Sequence, residues 1–148
     1  MRLLFDWPPV WTGVFLVLVW ALARALPLAV FGVAGDVGGG LLVLAGLALM
    51  ALAVWEMGRA RTTVIPRRVA SSLVTSGVFR YSRNPIYLGD ALVLMGACLI
   101  LDSVLGLALL PLFVRIINVR FIEGEEAHLQ QAFGAEFTKW SEQVRRWL

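Results

Sequence analysis

Four apolar runs divide this chain, and they restrict its fold more than any other feature. Residues 10–26 read VWTGVFLVLVWALARAL, 37–58 read VGGGLLVLAGLALMALAVWEMG, 85–101 read PIYLGDALVLMGACLIL and 103–119 read SVLGLALLPLFVRIINV. A helix rises about 1.5 Å per residue, so crossing a hydrocarbon core of about 30 Å takes about twenty residues. Lipid offers no solvent to open backbone, so runs of this kind must be helices that satisfy their own N–H and C=O groups. Composition agrees: 59% of residues are hydrophobic and 16% are charged, where soluble domains carry roughly 25% charge. Mean hydropathy is +0.81. With 148 residues there is no room for a second domain beside such a unit. The expectation is an all-α integral membrane bundle, a single domain over residues 1–148. It has four transmembrane helices, the third and fourth forming a tight hairpin, and a C-terminal amphipathic helix on the cytoplasmic face.

The punctuation of the runs supports that division. Pro8 and Pro9 start the first run and Pro27 stops it, while Arg24 near its end can snorkel to the interface. The glycines of the second favour close helix packing and also suit self-association into a homo-oligomer. Only Asp102 and its neighbours separate the third run from the fourth, which forces the hairpin. Both are short, so tilt or local thinning of the bilayer is expected. Residues 1–11 do not read as a cleaved signal, because the run that follows is long and ends at no small-residue cleavage site.

Charge sets the orientation. The loop over residues 59–83 holds Arg59, Arg61, Arg67, Arg68, Arg80 and Arg83, whereas the connector 27–36 holds no basic residue. Basic loops stay inside, so the loop, both termini and any site built from them face the cytoplasm. The net charge of +3 is interleaved with the spans rather than gathered on a soluble face, which argues against nucleic acid as a partner. In the tail, residues 123–148, Leu129, Phe133, Phe137, Trp140, Val144 and Trp147 recur at spacings of three and four. That is an amphipathic stripe, bent at Gly134 and suited to the cytoplasmic interface. Cys98 reads as packing. One His and one Cys cannot build a zinc site, so no metal is expected, and no P-loop or GxGxxG fingerprint is present.

Two polar knots stand out against this background. In GVFRYSRNPIYLGD, residues 77–90, Asn84 can cap a helix that Pro85 begins. The free N–H groups of that helix start, with Arg80 and Arg83 beside them, suit an anion. Tyr87 lies on the first turn. Gly89 and Gly96 share a face that lets another helix, or a flat ligand, come close. The second knot is RFIEGEEAHL, residues 120–129, where Glu123, Glu125 and Glu126 follow directly on an apolar span. Charges at such a place face protein, water or ligand. An arginine pair and a glutamate cluster on one side of the membrane suit a zwitterionic ligand such as S-adenosylmethionine, and NADPH can use the arginines too. Snorkelling, capping and a solvated turn account for the same residues without a ligand. His128 suits a surface or capping role better than that of a general base.

LVTSGVFRYSRNPIYLG, residues 73–89, followed by EEAHLQQAFGAEF, residues 125–137, closely resembles the isoprenylcysteine carboxyl methyltransferase family and the related phospholipid N-methyltransferases. The resemblance runs from Thr62 to the end, and the pairing of R-N-P-x-Y-x-G with a downstream E-E-x-x-L-x-x-x-F-G carries it. It implies a small helical membrane bundle that uses S-adenosyl-L-methionine to methylate a lipophilic acceptor from the bilayer. That acceptor is first of all the carboxylate of an isoprenylcysteine-like substrate, with a phospholipid or other amine as the alternative. Residue by residue it implies cofactor binding by Leu73, Val74, Phe79, Asn84, Pro85, Ile86, Tyr87 and Glu125, to which the two polar knots add Arg83, Gly89 and Glu126. It implies catalytic roles for Arg120, on the acceptor, and for Glu125. Asn84 stands where the eukaryotic members have His, and Phe79 where they have Tyr. Two readings of other classes compete: an NADPH-dependent membrane reductase, which carries a similar R-Y-x-R-H-P-N-Y element, and a non-catalytic membrane protein with the knots as anchors.

Overall fold

The computed structural model describes residues 7–62 and 71–148; Arg67 and Arg68, used above for orientation, lie outside them. Among the described residues the chain is helical and has no strand. The helices are α1 (Pro8–Ala25), α2 (Gly32–Arg59), α3 (Pro85–Ile100), α4 (Val104–Leu107), α5 (Leu109–Ile117), α6 (Glu123–Phe133) and α7 (Ala135–Gln143). A 3-10 turn, Gly77–Arg80, precedes α3, and a π-helical turn, Asn118–Ile122, joins α5 to α6.

Three helical stretches are long and apolar enough to cross a membrane: Pro8–Ala25, Gly32–Arg59 and the 30 residues of Val104–Phe133. The third run forms the shorter α3, with 16 residues. The fourth run departs most from expectation. It does not stop near residue 119 before a separate tail, because the helix continues through the π turn into α6. Its one interruption, at Ala108, has a local cause. Pro111 has no N–H to give the Leu107 carbonyl, and its ring crowds that carbonyl.

Glycines fit α3 against α2. A Cβ added at Gly46 would lie 2.6 Å from the Gly89 carbonyl oxygen, and one added at Gly96 would lie 2.6 Å from that of Gly39. Only glycine allows two backbones so close, and dispersion across that seam replaces the hydrophobic effect that lipid does not supply. Gly35, Gly39 and Gly46 thus serve this chain's own α3, while Gly38 and Gly40 meet nothing. On the opposite face, Leu94 and Cys98 of α3 join Phe15 and Val19 of α1 and Phe113 and Ile117 of α5 in one core. Phe15 and Phe113 meet edge to face at 5.3 Å. Leu41 and Leu44 of α2 are 63% and 65% exposed, an apolar surface suited to lipid.

The end of the bundle away from the arginine-rich loop is tied by one turn. Asp102, at φ +49°, reverses the chain between α3 and α4. Its Oδ1 accepts the N–H groups of Val30, at 3.1 Å, and Phe31, at 2.6 Å, at the entry to α2. The Ser103 hydroxyl donates to the Val19 carbonyl of α1 at 3.3 Å.

The tail corrects a second expectation. It is two helices rather than one, broken at Gly134, whose φ of +50° suits glycine. Its apolar stripe turns toward protein. Phe137, Trp140 and Val144 are buried with Val74, Phe79 and Ala53, and Leu129 and Phe133 pack on that cluster. A stripe fixes which face is covered, not by what; here the loop before α3 and the end of α2 supply the cover.

Candidate functional site

The polar residues of four segments meet at one end of the bundle. Pro85 takes the first position of α3, as the sequence implies, but Asn84 does not cap the helix with its side chain. Its Nδ2 instead donates to the Arg146 carbonyl at 3.0 Å, and its N–H goes to the Ser82 hydroxyl at 3.1 Å. Arg83 N–H donates to the Arg145 carbonyl at 3.0 Å. Residues 144–148 therefore lie as a strap across the start of α3.

The glutamates reach the same place from the other side. In α6 the Oε1 of Glu125 accepts the Tyr87 hydroxyl at 2.8 Å. Arg146 holds Glu126 with two prongs, Nε to Oε1 at 3.1 Å and Nη2 to Oε2 at 2.6 Å. Arg83 closes on Glu126 at 3.2 Å. The bond to Glu126 raises the Arg146 pKa above its ordinary value. The π turn positions these groups. A wide turn shifts the phase of every side chain after it, so the helix that buries Phe113 and Ile117 in the core can still aim Glu125 and Glu126 at α3. The Trp147 indole N–H locks the turn by donating to Asn118 Oδ1 at 3.1 Å.

The residues expected to hold a cofactor divide three ways. Tyr87, Glu125, Asn84, Arg83 and Glu126 converge directly, and Arg83 and Glu126 do so partly by neutralising each other. Leu73, Val74, Phe79 and Ile86 form an apolar wall with Phe137, Trp140 and Val144. Gly89 is placed differently: α2 fills its open side, with the Gly46 carbonyl 2.7 Å from a Cβ built there. Arg120 leaves the cluster and lays its guanidinium 5.1 Å over the Trp11 ring of α1. Sequence reasoning missed Ser82, Asn118, Arg146 and Trp11. Asn118 left a signal, a lone amide inside an apolar run.

Two buried donors in this region find no hydrogen-bond partner among the described residues, Arg83 Nε and Trp140 Nε1. Buried donors are rarely left so. With the Glu125 carboxylate nearby, the donor set suits a ligand that carries both a carboxylate and cationic or hydroxyl groups, and the apolar wall suits a flat ring. S-adenosylmethionine has all of these features, so the residues present fit it.

Comparison with known proteins defines the class as that of membrane methyltransferases. Residues 35–136 match the phospholipid methyltransferase family, and the chain belongs to that family, which includes the isoprenylcysteine carboxyl methyltransferases. An uncharacterized protein of Haemophilus influenzae is similar, 35% identical over 63 residues that make up 43% of this chain and 100% of the relative. No solved structure matches. The reductase and anchor readings give way to the family.

Proposed function

We propose that this protein transfers the methyl group of S-adenosylmethionine to a lipophilic acceptor drawn from the bilayer. Its active site faces the cytoplasm, and α3 serves as a fourth crossing between cytoplasmic termini. The observation that carries this reading is the Tyr87–Glu125 bond. It joins the start of α3 to α6, and it places both halves of the family motif at one end of the bundle. The arginine-rich loop, whose ends meet that site, supports the orientation.

When bound, the cofactor supplies a methyl group on an electrophilic sulfonium. Glu125, held by Tyr87, accepts hydrogen bonds from its cationic or hydroxyl groups. Arg83 Nε and Trp140 Nε1 are free to donate to its carboxylate. Val74, Phe79, Leu73 and Ile86 exclude water, which strengthens each of these bonds. Glu126 keeps Arg83 and the strap in place. Arg120 flattens on Trp11 near the membrane end of the site, and its planar fork suits an anionic acceptor group such as the carboxylate of an isoprenylcysteine-like substrate. The chain's main task is alignment, because holding acceptor and methyl in line removes most of the entropic barrier.

The test is transfer of labelled methyl from S-adenosylmethionine to a total lipid extract by the purified protein. Label in a lipid-soluble product is expected from the wild type, and its absence would overturn the reading.

A further inference from the structure

The apolar wall of the site is fastened to the end of α2. Leu73 and Val74 belong to that wall, and residues on either side of them are tied to the helix. The Ser72 hydroxyl donates to the Ala60 carbonyl at 2.7 Å, and the Ser76 hydroxyl donates to Glu56 Oε2 at 3.0 Å. The second tie reaches further. The Ser76 carbonyl accepts the Phe79 N–H at 3.1 Å, so the residue that Glu56 holds also opens the 3-10 turn carrying Phe79. Gly77, at φ +57°, follows it directly. A Cβ there would lie 2.7 Å from Glu56 Cγ, so this glycine serves the approach of the glutamate as well as the bend of the backbone. Helix energetics alone do not ask for Glu56. It lies in the last turn of α2, where the dipole disfavours a negative charge. Arg59, spaced to pair with it, lies over the Trp55 ring at 4.9 Å. The bond to Ser76 gives that carboxylate a use: it fixes the turn from which the wall continues.

We propose that Glu56 is a positioning residue for the cofactor: by holding Ser76 it sets how closely Val74 and Phe79 close on the bound ligand. The proposal rests on the methyltransferase reading and adds to it a residue outside both polar knots. Glu56 touches no reacting atom and acts through Ser76 alone. Without it the wall stays tied at Ser72 but is loose at Ser76, so Val74 and Phe79 exclude water less well and every polar bond to the cofactor weakens. The alignment of acceptor and methyl depends on other residues. The effect therefore belongs to cofactor affinity and not to the turnover of the loaded enzyme.

The experiment uses the full-length protein in nanodiscs and compares the wild type with E56A, S76A, E56A/S76A and E56Q. Affinity for S-adenosylhomocysteine is measured by calorimetry, and methyl transfer to a total lipid extract is followed at varied S-adenosylmethionine. E56A and S76A are each expected to lose about fivefold in affinity and to raise the KM for S-adenosylmethionine by a similar factor, with kcat unchanged. The double variant should be no weaker than either single one, since both remove the same bond. E56Q keeps an oxygen that accepts the Ser76 hydroxyl and should bind nearly as well as the wild type. S76A, a milder change, serves as the second route should E56A not fold. A merely structural role would lower kcat through the fraction of active protein and leave affinity and KM alone; that result overturns the proposal. So do losses that add in the double variant, or an E56Q as weak as E56A. A wild type that binds S-adenosylhomocysteine but transfers no methyl sinks the enzymatic reading and leaves calorimetry to decide on Glu56. A wild type that binds no S-adenosylhomocysteine sinks both.

Discussion

Glu126 grips one guanidinium edge of Arg146 with both carboxylate oxygens, across 20 residues of sequence. That grip fastens the strap whose carbonyls serve Arg83 and Asn84. Arg146→Ala should cost about 1 kcal/mol, because the pair is partly solvated and Arg83 still neutralises Glu126. The larger effect should be local. Amide exchange over residues 144–148 should speed up while exchange in α3 stays slow. Arg146→Lys should restore only part of the protection, since a point charge makes no two-pronged bond. Equal protection in all three proteins would remove the strap's dependence on this pair.

Tyr87 and Glu125 form a second pair. Glu125→Gln should weaken S-adenosylhomocysteine binding by roughly 1–3 kcal/mol, about ten- to a hundredfold, because cofactor donors are left unpaired. Tyr87→Phe should weaken it less, by freeing Glu125 to turn. The double variant should fall short of the sum of the two losses, as contacting residues do. Calorimetry of the four proteins checks the cycle.

Trp140 offers an indole N–H that finds no partner among the described residues. Trp140→Phe keeps most of the apolar contact and removes the donor. Binding of S-adenosylhomocysteine should drop by about 1 kcal/mol, while the thermal midpoint without ligand stays level or rises, because a buried unmatched group is gone. A midpoint loss with unchanged affinity would make Trp140 a packing residue alone.

The seam between α2 and α3 predicts opposite outcomes for two glycines. A Cβ at Gly89 would sit 2.6 Å from Met50 Cγ and 2.7 Å from the Gly46 carbonyl oxygen, whereas one at Gly38 meets nothing within 4 Å. Gly89→Ala should destabilise by about 1–3 kcal/mol through overpacking. Gly38→Ala should be neutral or slightly stabilising, since alanine is the better helix former. Thermal unfolding in detergent compares the two directly.

Arg120→Ala should leave cofactor affinity nearly intact and depress single-turnover methyl transfer to an acceptor that carries an anionic group, because the lost contact frees that group to rotate out of line. Lysine should rescue it only partly. Arg115, exposed on α5 away from the Trp11 stack, should tolerate alanine. If Arg115→Ala shows the loss instead, the acceptor contact moves to that residue.

What could be read from the sequence follows how local the governing physics is. Hydropathy and a proline located the starts of α1 and α3, because span length and proline geometry are properties of a few adjacent residues. The glycines announced close packing, though which helix would fill the space needed the fold. The resemblance brought Tyr87 and Glu125 into one expected site without showing that they touch. The strap was hidden because an amphipathic stripe looks the same whether lipid or protein covers it; Trp147 read as part of a stripe suited to the cytoplasmic interface. Asn84 read as a cap because Asn before Pro does that when nothing else competes, and here the Arg146 carbonyl competes.

The hydrogen bonds from Val30 and Phe31 to Asp102 bear on how such a chain is made. Ribosomes deliver α1 and α2 well before residue 102 is synthesised, so the first pair enters the bilayer with the approach to α2 unfastened. Those bonds form only after the turn between α3 and α4 has been made. Insertion can therefore proceed helix by helix, but maturation cannot: the earliest connector waits on the latest turn. A chain halted after α2 would keep the N–H groups of Val30 and Phe31 without the carboxylate that accepts them in the completed bundle.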